Sequence, residues 1–201
     1  MFAEAPVSIY NEQPSLFSAA EQRAMTPPGG AAKPKLTIPK PALESWKQTI
    51  QTFQQRVRGE LGAQQVSLFE AVSSQTDASA IDPFGLEVHN FFFFQWPSDR
   101  HPAAPCIYFV IDTRLPLLLY VGETCRANQR WKGVHDCKQY VLNYQALHFQ
   151  HQMPTTINTA FWWDTPEATR PRQRLELDLI TRWKSPFNKE NWRFWGTPFI
   201  E

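Results

Sequence analysis

The chain has 201 residues, 42% of them hydrophobic, and a formal net charge of +1. That length allows one domain with an appendage or two very small domains, and the apolar fraction excludes wholesale disorder. No window approaches about eighteen uncharged apolar residues, so no membrane span is expected, and the near-neutral charge gives no ground by itself for nucleic-acid binding.

The first forty positions crowd Pro6, Pro14, Pro27, Pro28, Gly29, Gly30, Pro34 and Pro39 together. Such a stretch buries too little apolar surface to offset its ordering entropy, so residues 1–41 are expected to form a flexible tail and linker. The start, MFAEAPVSIYNEQ, lacks the basic head and apolar run of a secretory signal. Leu43, Trp46, Ile50, Phe53, Val57 and Leu61 then fall three or four apart, the stripe of an amphipathic helix packed on a larger body. Gly59 and Gly62 mark its fraying end. A loop over 73–85 precedes Leu86–Trp96, whose four consecutive Phe require a strand covered on both faces.

From there the pattern is strand, strand, helix, strand, helix. Cys106–Asp112 and Leu117–Gly122 are apolar runs joined by Thr113-Arg114-Leu115-Pro116, the length of a hairpin loop. Helical character runs from Arg126 to Phe149 with a break near Gly133, and Thr159–Asp164 reads as a third strand. Arg170–Trp183 places Leu175, Leu179, Ile180 and Trp183 on one helical face and is stopped by Ser185-Pro186. These elements divide the chain into a tail (1–41), a helical and aromatic extension (42–103) and a C-terminal domain (104–201). The expected class is α+β, with a small three-stranded antiparallel sheet flanked by helices.

Three cysteines, Cys106, Cys125 and Cys137, make an odd set without a CxxC pair, which suits a reducing compartment and a cytoplasmic protein. They form no zinc pattern with the histidines. The basic surplus sits in the second half, where twelve Lys and Arg face nine Asp and Glu.

Two tyrosines on adjacent strands open the one constellation that carries chemistry. Tyr108 lies in Cys106-Ile107-Tyr108 and Tyr120 in Tyr120-Val121-Gly122. Arg130 follows in Gln129-Arg130-Trp131-Lys132, Glu176 sits on the last striped helix, and Asn188 stands in Ser185-Pro186-Phe187-Asn188. Phosphodiester hydrolysis needs an activated water, neutralised phosphoryl oxygens and a stabilised leaving oxygen. Glu176 is a hard oxygen donor suited to Mg²⁺, and Arg130 offers a planar fork that fits two phosphate oxygens. A tyrosine needs a neighbouring cation to act as a base near neutral pH.

In order and spacing, these residues resemble the GIY-YIG nuclease family over residues 104–199. The resemblance implies a metal-dependent endonuclease acting on DNA, with Mg²⁺ (or Mn²⁺ in its place) held by Glu176. It gives Tyr108 the role of base, Tyr120 that of placing water and phosphate, and Asn188 that of fixing the site's geometry. Cys106 stands where the family motif begins with glycine, a change a small side chain absorbs. Family members often carry a His or Tyr four residues after the arginine; here that position is Val134, and His135 lies about 140° round an ideal helix from Arg130. A break at Gly133 brings His135 into the site, with Tyr140 as the alternative.

Arg126, Lys132, Lys138, Arg170, Arg172 and Arg174 are the cations expected to follow a DNA backbone, with Trp131, Trp162 and Trp163 as stacking surfaces. Outside this half, Gln13-Pro14-Ser15-Leu16-Phe17 resembles the pentapeptide with which bacterial proteins grip the replication sliding clamp, and Gln65–Phe69 repeats the pattern. Gln13 would make directional hydrogen bonds while Leu16 and Phe17 fill an apolar pocket. The implied function is structure-directed cleavage in DNA repair or recombination, in the cytoplasm and on the nucleoid when bound to DNA. A restriction-type endonuclease, or a non-catalytic DNA- or clamp-binding module, is the alternative.

Overall fold

A computed structural model describes residues 38–64, 77–90, 104–127 and 136–196 of the protein. A 25-residue helix, α1 (Lys40–Gln64), comes first, with Pro41 in its opening turn, where a missing N–H costs nothing. Helical geometry persists through Gly59, past the expected fraying point, to Gln64. Leu43, Ile50 and Val57 are buried along its inner stripe, worth about 1.5–3 kcal/mol each. Two short 3₁₀ turns, Ala78–Ala80 and Pro83–Gly85, follow, each opened by an aspartate (Asp77, Asp82) whose side chain accepts a backbone N–H.

The sheet is antiparallel throughout and has four strands in the order β1-β4-β2-β3: β1 (Val88–Asn90), β2 (Cys106–Asp112), β3 (Leu117–Thr124) and β4 (Ile157–Trp162). The expectation of three strands is therefore corrected to four. The extra strand comes from the extension: Val88, His89 and Asn90 pair with Ala160, Thr159 and Asn158. Three residues are too short to show an alternation, and as an edge strand β1 leaves Val88 45% exposed, unlike the doubly covered strand expected there. Residues 91–96 lie outside the described residues.

Every residue of β2 is buried, as a central strand rich in Ile, Val and aromatics requires. Its hairpin partner β3 runs two residues beyond the expected end, and a bulge shifts the register between Val110 and Ile111. On one face Ile107, Phe109, Ile111, Val121 and Ala160 meet Val57 of α1 and Leu175, Leu179, Ile180 and Trp183 of the last long helix. The other face, carrying Tyr108 and Val110, is equally closed to solvent.

Helix α2 (Asp136–Gln150) begins well after Arg126 and Ala127, which are not helical. Strand β4 lies two residues earlier than expected, and α3 (Thr169–Trp183) closes at Lys184 in a left-handed conformation (φ 50°) before Ser185-Pro186. A 3₁₀ turn (Lys189–Asn191) and one turn of helix, α4 (Trp192–Trp195), complete the described chain.

Strand β3 is an edge of the sheet, yet its outer backbone is not bare. The Gln54 side chain of α1 accepts from Leu118 N (2.8 Å) and donates to Leu118 O (2.9 Å). Asn188 repeats the arrangement three residues on, accepting from Val121 N and donating to Val121 O, both at 2.9 Å. Glu176 Oε1 takes Glu123 N (3.0 Å), and Phe187 N donates to Leu119 O (2.9 Å). Two side-chain amides and one carboxylate thus stand in for the missing neighbour strand.

Candidate active site

Four of the expected site residues, Tyr120, Tyr140, Glu176 and Asn188, line one cleft of about 520 Å³. Strand β3 presents Tyr120, α2 presents Tyr140, α3 presents Glu176, and the turn after α3 presents Asn188. Tyr108 stands behind Tyr120, the rings 6.0 Å apart and 27° from parallel. Gly122 makes room for this pair, because a Cβ there would fall 2.2 Å from the Tyr108 hydroxyl and ring. Tyr108 itself has no exposed surface, whereas Tyr120 is partly open.

Asn188 is buried and its amide is consumed by the Val121 backbone and by the Ser185 hydroxyl, which donates to Oδ1 at 2.6 Å. It holds strand against turn. Glu176 accepts from Glu123 N through Oε1 and is partly exposed at the cleft. The wall also carries Asp136 and Lys189, joined across 2.6 Å, neither of which the sequence reading singled out. The Asp136 hydrogen bond holds the Lys189 ammonium above its ordinary range. Burial, with Asp136 nearby, raises the Tyr140 phenol, so it is ionised even less near neutral pH than a free tyrosine.

Among the described residues, no three His, Cys, Asp or Glu side chains are grouped to form a metal cage. Mg²⁺ does not require one, since it keeps several waters and commonly uses one or two carboxylates plus substrate phosphate. The Glu176 carboxylate, in a cleft also lined by Asp136 and Glu190, is a donor of that kind.

Arg130, His135, Lys132 and Trp131 lie outside the described residues, as do Gln13, Leu16, Phe17 and the second pentapeptide at 65–69. Two expected backbone-following cations are corrected. Arg172 is 1% exposed, with Nε on Glu123 Oε2 (2.7 Å) and one terminal nitrogen on the Pro166 and Glu167 carbonyls. Lys138 is also 1% exposed. Neither presents a charge to solvent. Arg126, Arg170 and Arg174 are exposed, the last paired with Asp178. Trp162 is half-buried, and Trp163 stacks on Phe161 at 5.3 Å.

A second polar cluster escaped the sequence reading altogether. Asp112, at the end of β2, accepts from Tyr144 OH (2.7 Å) and Thr155 Oγ1 (3.0 Å), and lies 3.4 Å from Lys47 Nζ. Lys47 also reaches His148 Nε2 at 2.7 Å. His148 Nδ1 faces the Tyr144 carbonyl at 2.8 Å, and a carbonyl only accepts, so Nδ1 carries the proton and Nε2 receives Lys47. Burial lowers both the Lys47 ammonium and the His148 imidazole, and pushes the Tyr144 phenol well up. The one available signal was a lone aspartate closing an apolar strand, since a buried acid must be paired.

No protein-family model matches this chain, and no curated protein or solved structure matches it either.

Proposed function

We propose that the protein is a GIY-YIG-like, Mg²⁺-dependent endonuclease that hydrolyses DNA phosphodiesters, with structure-directed cleavage in repair or recombination as its role. The observation that carries this reading is the convergence of Tyr120, Glu176 and Asn188 on one cleft, with Tyr108 stacked behind Tyr120. These residues come from three separated segments, and packing alone gives no reason to gather a phenol and a partly open carboxylate there. Glu176 would hold Mg²⁺, with Mn²⁺ as substitute. The bound ion would neutralise phosphoryl charge and acidify an adjacent water.

The chain's own residues divide the remaining work. The family resemblance gives the base to Tyr108, but a base must reach its proton, and Tyr108 is sealed. The geometry favours Tyr120 for that contact, with Tyr108 fixing its ring. Asn188 holds the strand that carries Tyr120. Arg130 is the phosphate-binding guanidinium of this reading, and Lys132, Arg126, Arg170 and Arg174 its outer cations. Recruitment to the sliding clamp through Gln13–Phe17 belongs to the same proposal, as does residence in the cytoplasm and on the nucleoid.

The test is cleavage of duplex, flap, fork, four-way junction and single-stranded DNA with and without Mg²⁺. The wild type should cut a branched substrate, and Glu176→Ala should lose cleavage while its circular dichroism and DNA binding stay near wild type. Tyr120→Phe should lower turnover by about 10²-fold or more, the usual cost of a lost general base. Tyr108→Phe should cost less, and the reverse order would return the base to Tyr108. Absence of cleavage across the panel would sink the enzyme reading.

A further inference from the structure

Glu123 grips α3 twice. Its backbone N–H donates to Glu176 Oε1 at 3.0 Å, and its carboxylate Oε2 receives Arg172 Nε at 2.7 Å. Arg172 and Glu176 are four residues apart on α3, so they share one helical face, a turn from each other. The Arg172 guanidinium is buried and also holds the Pro166 and Glu167 carbonyls, which fixes the segment leading into α3. One strand residue therefore sets both the rotation of the helix and the rotamer of its cleft carboxylate. The fully buried guanidinium gains a charge-assisted bond only while Glu123 remains beside it, so the arrangement is held as a unit.

We propose that Glu123 and Arg172 are positioning residues for the Glu176 carboxylate, fixing it at the cleft wall through its Oε1. This rests on the reading of Glu176 as the metal-holding group. Losing partners that orient a ligand typically costs about 10–100-fold in metal affinity or activity.

Glu123→Ala alone strands a buried cation, so the informative variant is Glu123→Ala combined with Arg172→Met, which removes both charges. Two readouts apply to the DNA-free protein. Amide hydrogen exchange at position 123 reports the bond to Glu176, and Mn²⁺ alone, added during nuclear magnetic resonance, broadens amides near the carboxylate. The double variant should keep a melting temperature near wild type, yet exchange at 123 at least about tenfold faster and need about tenfold more Mn²⁺ for half-broadening. Mg²⁺ dependence of cleavage should shift in the same direction. Glu123→Gln, which keeps an oxygen for Arg172 Nε, should stay close to wild type in exchange and Mn²⁺ dependence while melting lower, because the buried guanidinium loses its counter-charge.

Should the double variant not fold, Arg172→Lys, which keeps the charge but loses the fork onto the two carbonyls, carries the same readouts. Unchanged exchange and Mn²⁺ dependence in a folded variant would overturn the proposal. Failure of wild-type cleavage alone, with exchange at 123 still lost in the variant, would remove the nuclease reading and leave the positioning intact.

Discussion

Asn188 shows how a residue can line a cleft and yet spend its polar atoms on the fold. Its amide saturates the N–H and C=O of Val121, and no other described group replaces it. Asn188→Ala should leave both buried groups unpaired, at about 1–3 kcal/mol each. The expected outcome is a stability loss of about 2–5 kcal/mol by urea denaturation with an unchanged slope. Asn188→Asp keeps the acceptor for Val121 N but sets a carboxylate oxygen against Val121 O, so it should rescue little. The spacing singles Asn188 out in the sequence, but its clamp on the Val121 backbone shows only in the fold. The importance of Glu123 and Arg172 was not legible in the sequence, because a glutamate in a strand and an arginine in a helix read as solvent-facing charges until their pairing is seen.

Helix α1 carries the same lesson at the level of an element. Its apolar stripe is legible in the sequence, but nothing in the spacing marks Lys47, Gln51 and Gln54 as buried, and they are 4%, 7% and 1% exposed. Periodicity scores side chains by polarity and cannot register that Gln54 meets its needs on the Leu118 backbone or Lys47 on Asp112 and His148. The cluster around His148 has a consequence for pH. Lys47 faces it from α1, Asp112 from β2, Tyr144 from α2 itself, and His151 stands just beyond. Because burial lowers the folded pKa of His148, the unfolded chain takes up the proton first, near about 6.5. Stability should therefore be intact above that pH and fall below it, by up to about 1.4 kcal/mol per unit, until the folded imidazole also protonates. His148→Gln can accept from Lys47 and donate to the Tyr144 carbonyl, and should flatten the slope that begins below about pH 6.5. Thermal melts across that range decide the matter, and an unchanged slope would locate the acid sensitivity elsewhere.

At the scale of the whole molecule, the described residues all fall within one compact unit. The extension supplies that unit with a helix, the Gln54 clamp and the fourth strand, so the fold class and the hairpin were legible while this integration was not. Three residues of edge strand leave no pattern, and hydrogen bonds spanning 64 residues leave none either. Removal of residues 1–31 should preserve the cooperative melt. Removal of residues 1–64 should abolish it, since Leu118 loses both hydrogen bonds to Gln54 and Asp112 loses Lys47. The shorter deletion also takes away Gln13, Leu16 and Phe17. A peptide spanning residues 8–20 should bind a bacterial sliding clamp at micromolar strength, and replacing Leu16 and Phe17 by alanine should end that binding.

The borrowed partners of β3 also bear on how the chain reaches this state. The hairpin of β2 and β3 is local and can close within about 1–10 μs. Its outer rim, however, waits for Gln54, 64 residues upstream, and Asn188, 67 residues downstream. Contacts so distant in sequence form late, after the loop entropy between them has been overcome. For that interval a sheet rim stands ready to accept a strand from another molecule. Refolding at high concentration should accordingly lose material to aggregates, and a variant with Gln54→Leu, whose rim is never fully closed, should lose more.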